Sequence, residues 1–406
     1  MKYNIIATTC LGLIALLCTT QSCKDYCKHE APEAPESHST SVSLNAYIEN
    51  SGSIDGYVKG GTLFKTDIYT LLTDANVATL KLNYINDSIY RQNCNARDFV
   101  LDLTPAKFKQ QGGNRAFSDI SEVIERVLAD RPKEVALLAS DFIFSPPANA
   151  ESVKAFLNME RQEISNAVMH RLGKDKHFGI VVLQGYSAYD GYYWNVDNKA
   201  SVYKGERPYY VMLAGNRADL ALLLQSATKS GNTHFKNIYA ESGCVPIHYE
   251  VVKNVGAKNG TFKLCKKGKH HLKDCRANKR TGVFTFNIYA DFSCLPLTDS
   301  YLCNASNYAT STNGYKVSEV KAIRRTAEGY THCITMTACD TKHLCAPSCE
   351  IKLKKSFPTW IAQSNDAAGM IPLPGKTFGL LPMMQGIQKA FESGGDAFAQ
   401  IHLCIE

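Results

Sequence analysis

Short apolar runs alternate with helical patterns from Ser43 to Ala227, and this alternation stops near residue 228. Such a chain is expected to fold as an α/β unit in which helices cover a mostly parallel, doubly wound sheet. The predicted strands are Val42 to Ile48, Thr79 to Tyr84, Phe99 to Leu103, Glu134 to Phe144, Phe178 to Leu183 and Tyr209 to Leu213. The predicted helices are Phe64 to Leu72, Ser118 to Leu128 with Ser118 as its N-cap, Val153 to Leu172 and Leu220 to Leu224. We therefore assign residues 42–228 to one α/β domain.

The second half has a different character. β-branched and aromatic runs separated by turn residues predict strands at Tyr249 to Lys253, Gly260 to Leu264, Gly282 to Tyr289 and Glu350 to Leu353. Only its tail, Gly379 to Phe391, has helical spacing. Ten of the fifteen cysteines follow residue 240. Residues 229–406 are therefore predicted to form a β-rich, cysteine-rich domain with a C-terminal helix.

So many cysteines are typical of exported proteins, in which they form disulfides. Zinc is the alternative for Cys333, Cys339, Cys345 and Cys349, which lie near His332 and His343. Their spacing is not one of the usual zinc patterns, so we favour disulfides. The pairing cannot be read from the sequence.

The N-terminus also indicates export. Lys2 precedes an apolar stretch from Ile5 to Cys18, which is too short to span a bilayer but suits a signal peptide. The stretch ends in Thr-Gln-Ser before Cys23, and a Pro-, Glu- and Ser-rich segment follows. This resembles a bacterial lipoprotein signal of the relaxed kind found in Bacteroidota; an ordinary signal peptide is the alternative.

The lipoprotein resemblance implies that residues 1–22 are removed, that Cys23 carries lipid and that residues 23–41 form a flexible tether. The protein would then be anchored in the cell envelope, at the outer membrane or the cell surface. Twelve cysteines would remain, an even number that fits disulfides.

Polar residues follow the predicted strands where a sheet would hold a ligand. Glu49-Asn50-Ser51-Gly52-Ser53 comes after the first strand, Ser118 precedes a helix, and Asp141 follows an apolar strand. In this order the segments resemble a von Willebrand factor A (vWA) domain, whose first strand ends in Asp-x-Ser-x-Ser.

The vWA resemblance implies one Mg²⁺ or Mn²⁺ whose shell is completed by an acidic group of a protein partner. The expected ligands are Glu49, Ser51, Ser53, Ser118 and Asp141, with Arg115 and Asn50 as possible ligand contacts. Three residues depart from the family pattern: Glu49 replaces Asp, Ser118 replaces Thr, and Phe142 replaces a glycine and is expected to crowd the rim. The alternative is a loop whose polar residues only cap turns and helix ends.

Two further segments have alternative interpretations. The aromatic run from Gly185 to Trp194 is interpreted as a hairpin that bridges to the second domain, or else as a surface for sugars or a protein. The basic segment from Lys263 to Arg280, which Cys265 and Cys275 could close into a loop, is interpreted as a solvated hairpin tip, or else as a contact for a polyanion such as lipid phosphate. It lacks the aromatic residues that nucleic acid binding would need.

Two function classes remain. The first is a lipid-anchored, non-enzymatic binding or adhesion protein with a metal site. The second is a hydrolase, either metal-dependent like a phosphoesterase or with Ser51 or Ser53 as nucleophile. A serine nucleophile needs a base. The histidines of this domain, His170 and His177, are predicted at the amino end of the sheet, so we favour the binding protein.

Overall fold

The computed structural model describes residues 40–111, 113–116, 119–147, 152–229, 231, 233–253, 255–256, 258–265, 268–340, 342 and 344–406. The predicted signal segment, Cys23, most of the tether, Ser118 and His343 lie outside these residues. Within the described residues, no helix has both the length and the apolar character to cross a membrane.

A seven-stranded sheet forms the centre of the first half, in the order β3-β2-β1-β4-β6-β5-β7. Its strands are β1 (Val42–Glu49), β2 (Val77–Ile85), β3 (Ile89–Gln92), β4 (Val135–Ser140), β5 (Phe178–Trp194), β6 (Ala200–Asn216) and β7 (Asn237–Ser242). Strand β1 runs parallel to both β2 and β4, with Ala46 opposite Leu82 on one side and Leu137 on the other. The chain is therefore a mixed α/β protein with a sheet that contains parallel strands.

The prediction of a mostly parallel sheet is wrong. The pairs β2–β3, β4–β6, β5–β6 and β5–β7 are all antiparallel. The physical reason lies in the connections, because β2 leads into β3, and β5 into β6, through short turns that can join only antiparallel strands. The parallel part is limited to β2, β1 and β4.

Six helices in the described part of this half connect or cover the strands. They are α1 (Leu63–Leu72), α2 (Ala96–Leu101), α3 (Pro105–Gln110), α4 (Ile120–Ala129), α5 (Val153–Lys174) and α6 (Arg217–Lys229). The predicted strand from Phe99 to Leu103 is wrong, since α2 covers most of it. Asn95 caps this helix by accepting a hydrogen bond from the backbone N–H of Asp98, which favours the helix over a strand.

Helix α4 begins one residue later than predicted. Its N-cap is Asp119 rather than Ser118, and the Asp119 carboxylate accepts a hydrogen bond from the N–H of Glu122. The predicted apolar face of α4 is confirmed, since Ile120, Val123 and Ile124 are buried.

Strands β1 and β4 are buried along almost their whole length because both of their faces are covered. Ala46 and Leu137 belong to the core that contains Ile68 of α1. Tyr47 and Leu138, one residue further along, belong to the core that contains Ile124 of α4. This two-sided burial fixes the register of β1 and β4, which in turn places the residues that follow them.

The second half is β-rich, as predicted. Its strands are β8 (Val245–Pro246), β9 (Tyr249–Val252), β10 (Thr261–Cys265), β11 (Gly268–Arg276), β12 (Thr285–Ala290), β13 (Tyr308–Thr310), β14 (Tyr315–Ala322), β15 (His332–Ala338), β16 (Ala346–Lys354), β17 (Asn365–Asp366), β18 (Thr377–Phe378) and β19 (Ala397–Ile405). A six-stranded sheet contains β10-β11-β19-β16-β13 with β8 beside β19, and a four-stranded sheet has the order β14-β15-β12-β9. The helices are α7 (Asp299–Leu302), α8 (Thr359–Gln363) and α9 (Leu380–Phe391).

Elements from beyond residue 228 complete the first half. Strand β7 extends the first sheet. Met384 and Ile387 of α9 share a core with Ile164 and Val168 of α5. The predicted helix near the end is confirmed, but the chain continues past it into β19, so the second half does not finish on a helix.

The predicted staple between Cys265 and Cys275 does not form. Cys265 lies opposite Gly268 at the tip of the hairpin, whereas Cys275 lies beyond the pair Lys263–Lys273. At about 3.3 Å per residue the two positions are roughly 10 Å apart along the strands, too far for a disulfide.

Cys404 is disulfide-bonded. Free thiols are found at Cys94, Cys244, Cys265, Cys275, Cys303, Cys333, Cys339 and Cys349, so the expected network of staples is not what the structure shows.

Candidate functional site

The ends of β1 and β4 bring two acidic residues to one edge of the first sheet. Ile48 pairs with Ala139, so Glu49 and Ser140, the last residues of the two strands, lie side by side. The Ser140 hydroxyl donates a hydrogen bond to the Glu49 carboxylate. Asp141 follows directly, and Glu49 and Asp141 are each only 1% exposed. Two carboxylates are thus buried at the carboxyl end of the parallel strands, where ligands of such sheets bind.

The loop after β1 adds two hydroxyl groups to this edge. The Oγ atoms of Ser51 and Ser53 lie 3.1 Å apart at the start of a 3-10 turn over Gly52–Gly56. The Ser53 side chain also hydrogen bonds to Asp141. Four of the five predicted metal ligands therefore come together, and the fifth, Ser118, lies outside the described residues.

A small cavity of about 30 Å³ opens beside Glu49, Ser51 and Ser53, and Asp141 is not among the residues that line it. Since a water molecule needs about 10–15 Å³ on this measure, there is room for an ion or two waters, but not for an organic substrate. The lining residues are Glu49, Ser51, Gly52, Ser53, Arg115, Ala116, Ile143, Ser145, Tyr193, Trp194 and Arg207.

The hairpin of β5 and β6 covers the cavity. Its strands pair along their full length, from Phe178 opposite Asn216 to Trp194 opposite Ala200. Tyr189 donates a hydrogen bond of 3.0 Å to the Ser53 carbonyl. Near the hairpin tip, the Val196 N–H donates to the Gly369 carbonyl at 3.0 Å. The interpretation of the aromatic run as a hairpin that bridges to the second half is confirmed.

Arg207 is the residue of this site that the sequence did not reveal. It lies on β6 opposite Ser187, inside the aromatic hairpin, and is 3% exposed. One of its Nη atoms is 3.8 Å from the Asp141 carboxylate, and its guanidinium carbon lies 4.7 Å from the ring centroid of Tyr189 and 5.3 Å from that of Tyr193. These rings face the cation with their π-systems, which stabilises it away from water.

The charges of the site are only partly balanced. Burial raises the pKa of Asp141, and the opposing effects of Arg207 and Ser53 do not cancel it. The Oδ2 atom of Asp141 and the Nη1 atom of Arg207 are both buried without a hydrogen-bond partner among the described residues. Buried polar atoms of this kind are usually satisfied by water, an ion or a ligand.

Arg115 and Asn50, the two possible ligand contacts, have different surroundings. The Arg115 guanidinium donates to the Asn50 carbonyl at 2.7 Å and to the Ser51 carbonyl at 3.3 Å, and it pairs with Asp55 at 2.5 Å. It therefore fixes the shape of the loop. The Asn50 side chain is fully buried, and neither its oxygen nor its nitrogen has a partner in the described part of the chain.

Phe142 does not crowd the rim as expected. Its side chain is buried in the core, where its ring stacks on Tyr210 at 5.6 Å. Its backbone has φ 50°, in the left-handed region that suits glycine and strains a bulky residue. The position where the vWA pattern has glycine thus keeps a backbone conformation that glycine adopts easily.

The oxygen atoms of this site are of the chemical type that binds hard divalent cations. Hydroxyl and carboxylate oxygens are the ligands that Mg²⁺ and Mn²⁺ prefer, and the cavity has the size of an ion with its water. Asp141 retains an oxygen without a hydrogen bond. Arg207 is a competing positive charge at this carboxylate, so an ion there would be held only moderately.

The histidines predicted for this half lie away from the cavity. The residues that line the cavity include no histidine. His170 lies instead beside Pro132 and Lys174, near the start of β4, and His177 directly precedes β5. Both are at the amino edge of the parallel strands, as predicted. No observation favours the hydrolase.

The other predicted contacts are not assembled into sites. Among the described residues, neither group of metal-binding side chains includes Cys333, Cys339, Cys345 or Cys349. In the basic segment, Lys263 pairs with Asp274, Lys269 with Glu250 and Lys273 with Glu406. Part of its charge is therefore balanced within the protein, and binding of a polyanion stays a prediction.

Comparison of the chain with models of protein families, with curated proteins and with solved structures gives no match.

Proposed function

We propose that this protein is a binding protein of the cell envelope whose site at the edge of the first sheet holds one Mg²⁺ or Mn²⁺ and takes up an acidic group of a protein partner. One observation carries the proposal: a cavity of ion size is lined by Glu49, Arg207 and the two serines Ser51 and Ser53. Arg207 Nη1 and the Oδ2 atom of the neighbouring Asp141 are both buried without hydrogen-bond partners among the described residues.

Each group has a role in this proposal. Ser51, Ser53, Glu49 and Asp141 hold the cation through oxygen atoms, and the cation supplies Lewis acidity toward an incoming carboxylate. Arg207 donates its unpartnered Nη1 hydrogens to the same carboxylate. With the ion bound, the three formal positive charges of ion and Arg207 exceed the two of Glu49 and Asp141, so a negative partner is attracted.

The vWA-like order of motifs supports the same function. The acidic residue and two serines after the first strand and the Asp141–Phe142 pair after β4 lie at one edge, with the left-handed backbone at Phe142. The antiparallel strands β6 and β7 depart from a mostly parallel sheet, so the resemblance is confined to the part of the sheet that carries the site.

Calorimetry with MgCl₂ and MnCl₂ tests the ion. The full chain without its signal segment is compared with the double variant Ser51→Ala/Ser53→Ala, and Ser88→Ala serves as the control for loss of a hydroxyl elsewhere. We expect the double variant, but not Ser88→Ala, to bind one equivalent of metal fewer than the unchanged protein at millimolar or lower concentration. Acetate, as a probe for the partner's carboxylate, should bind only when the metal is present.

Two results would contradict the proposal. Equal metal binding by the double variant would exclude Ser51 and Ser53 as ligands. Acetate binding that is unchanged by chelator would exclude the role of the ion.

We also propose that Cys23 is lipidated and anchors the protein in the envelope. The apolar stretch before it and the Pro- and Glu-rich segment after it support this anchor. Labelling of expressing cells with a radioactive fatty acid should mark the protein and not its Cys23→Ser variant, while Cys27→Ser stays labelled. Label that persists in Cys23→Ser would place the lipid elsewhere.

A further inference from the structure

We propose that Asp119, Glu160 and Glu163 form a second binding site, for a hard divalent cation of the size of Ca²⁺, that links the start of α4 to α5. One carboxylate oxygen from each residue lies within 4.8 Å of the others. Asp119 is the N-cap of α4, and the two glutamates are three residues apart in α5, so they lie on one face of that helix.

The three carboxylates have no cation of the protein beside them. In the described part of the chain, none of them has a Lys, Arg or His partner within 4.0 Å, although surface carboxylates elsewhere, such as Asp130 with Arg91, are paired. The group that bridges them is the Ser121 hydroxyl, which lies 2.8 Å from Asp119 and 2.8 Å from Glu163. No cationic side chain of the described residues therefore neutralises this group of three carboxyl groups.

Glu160 supplies a second, independent observation. It is 3% exposed, and its Oε2 atom is buried without a hydrogen-bond partner among the described residues. A buried carboxylate oxygen that faces two other carboxylates is costly unless a cation or proton joins it.

The donor set favours Ca²⁺ over Mg²⁺. Ca²⁺ accepts six to eight oxygen ligands at 2.3–2.6 Å in flexible geometry, whereas Mg²⁺ needs a nearly ideal octahedron and keeps its waters. Glu163 is exposed, so water can fill the remaining positions on the solvent side. Mn²⁺ shares the preference for carboxylate oxygens and serves as a spectroscopic substitute.

Such an ion would hold α4 and α5 together at the point where the segment after Arg115 enters α4. This segment is anchored at its other end, because the Arg115 carbonyl accepts a hydrogen bond of 2.9 Å from Gly52. The second ion would lie at the start of α4, and it shares no ligand with the described residues of the edge site.

Calorimetry with CaCl₂, MnCl₂ and MgCl₂ separates the two sites when it is done in the Ser51→Ala/Ser53→Ala background. We expect one equivalent of Ca²⁺ or Mn²⁺ to remain, with weaker binding of Mg²⁺, and a Tm that rises with Ca²⁺. Adding Glu160→Gln, which keeps the shape of the side chain, should weaken Ca²⁺ binding about tenfold or more. Glu122→Gln, an exposed acidic residue in the same first turn of α4, should leave binding unchanged.

The proposal is overturned if Glu160→Gln binds Ca²⁺ as tightly as its parent, or if Glu122→Gln weakens binding equally. The Glu160→Gln variant removes a buried charge and should fold, and its circular dichroism spectrum checks this. Crystals soaked in MnCl₂ give a direct second test. An anomalous peak is expected between the three carboxylates. If Mn²⁺ fully occupies another site of the protein and no peak appears here, the proposal is overturned.

Discussion

The guanidinium of Arg207 and the carboxylate of Asp141 form a buried ion pair in which the nearest nitrogen and oxygen are 3.8 Å apart. The pair joins β6 to the end of β4 across the candidate site, and tyrosine rings surround the cation. Because this distance is longer than a hydrogen bond, atoms of both side chains stay available to a ligand.

Loss of Arg207 should destabilise the protein strongly. Arg207→Met leaves Asp141 as an uncompensated buried charge, which costs about 3–5 kcal/mol in the free energy of unfolding. Adding Asp141→Asn to this variant should restore part of that loss. Urea unfolding of the single and the double variant measures the two changes in free energy. The exposed Lys204→Met on the same strand is the control and should stay within about 0.5 kcal/mol; an equal loss in the control would refute a special role of the pair.

At Phe142, glycine should be tolerated better than alanine. Both substitutions remove the buried ring, which lowers the free energy of unfolding by about 3–5 kcal/mol. Glycine also relieves the left-handed backbone strain, so the glycine variant should be about 1 kcal/mol more stable than the alanine variant. Phe144 is also buried but has no positive φ, so there alanine should be the more stable of the two. Denaturant curves of the four variants decide this, and the same order at both positions would contradict it.

Asp130 should stabilise the sheet in a pH-dependent way. Burial alone would raise the pKa of Asp130, but hydrogen bonds from Arg91 and Tyr47 lower it below its usual value. Its stabilisation is therefore present above about pH 4, the unfolded value, and is lost as the pH falls through the lower folded value. Asp130→Asn should lose about 1–2 kcal/mol at pH 7 and little in acid.

Unfolding curves from pH 3 to pH 7 check the effect of Asp130. Asp102→Asn is the matched control, since its pair with Lys107 is exposed on both sides and should contribute little at any pH. A difference between wild type and Asp130→Asn that does not shrink on acidification would show that the carboxylate charge is not responsible.

The hairpin of β10 and β11 should not depend on its cysteines. Cys265→Ser should change Tm by less than a degree or two, because Cys265 and Cys275 lie too far apart along the hairpin to be joined. Mass spectrometry after alkylation without reductant should find both thiols modified. A peptide that contains Cys265 linked to Cys275 would disprove the register.

The sequence predicts those parts of the fold that depend on local periodicity. The helices α1, α4, α5 and α9 and the strands β1, β2 and β4 lie where apolar spacing places them. The strand predicted at Phe99 failed because a cap, Asn95, outweighs a short apolar run. The direction of β6 could not be read from its composition, since strands buried on both faces look alike whether they are parallel or antiparallel.

The candidate site was predictable only where its residues follow strand ends in sequence. Glu49 and Asp141 are found by that rule. Arg207 is not, because it comes to Asp141 through the antiparallel pairing of β6 with β4, and a single Arg among tyrosines has no characteristic spacing. Glu160 was hidden for a similar reason, as an acidic residue in a helix is normally taken to face solvent.

The position of α9 has a consequence for how the chain is made. Until residues 380–391 have been synthesised, the apolar surface of Ile164 and Val168 lacks part of its cover, although the first sheet's last strand, β7, is complete by Ser242. At about 5–20 residues per second, the interval is on the order of ten seconds or more. The nascent first half is thus expected to stay incompletely folded, or to need a chaperone, until the second half has been made.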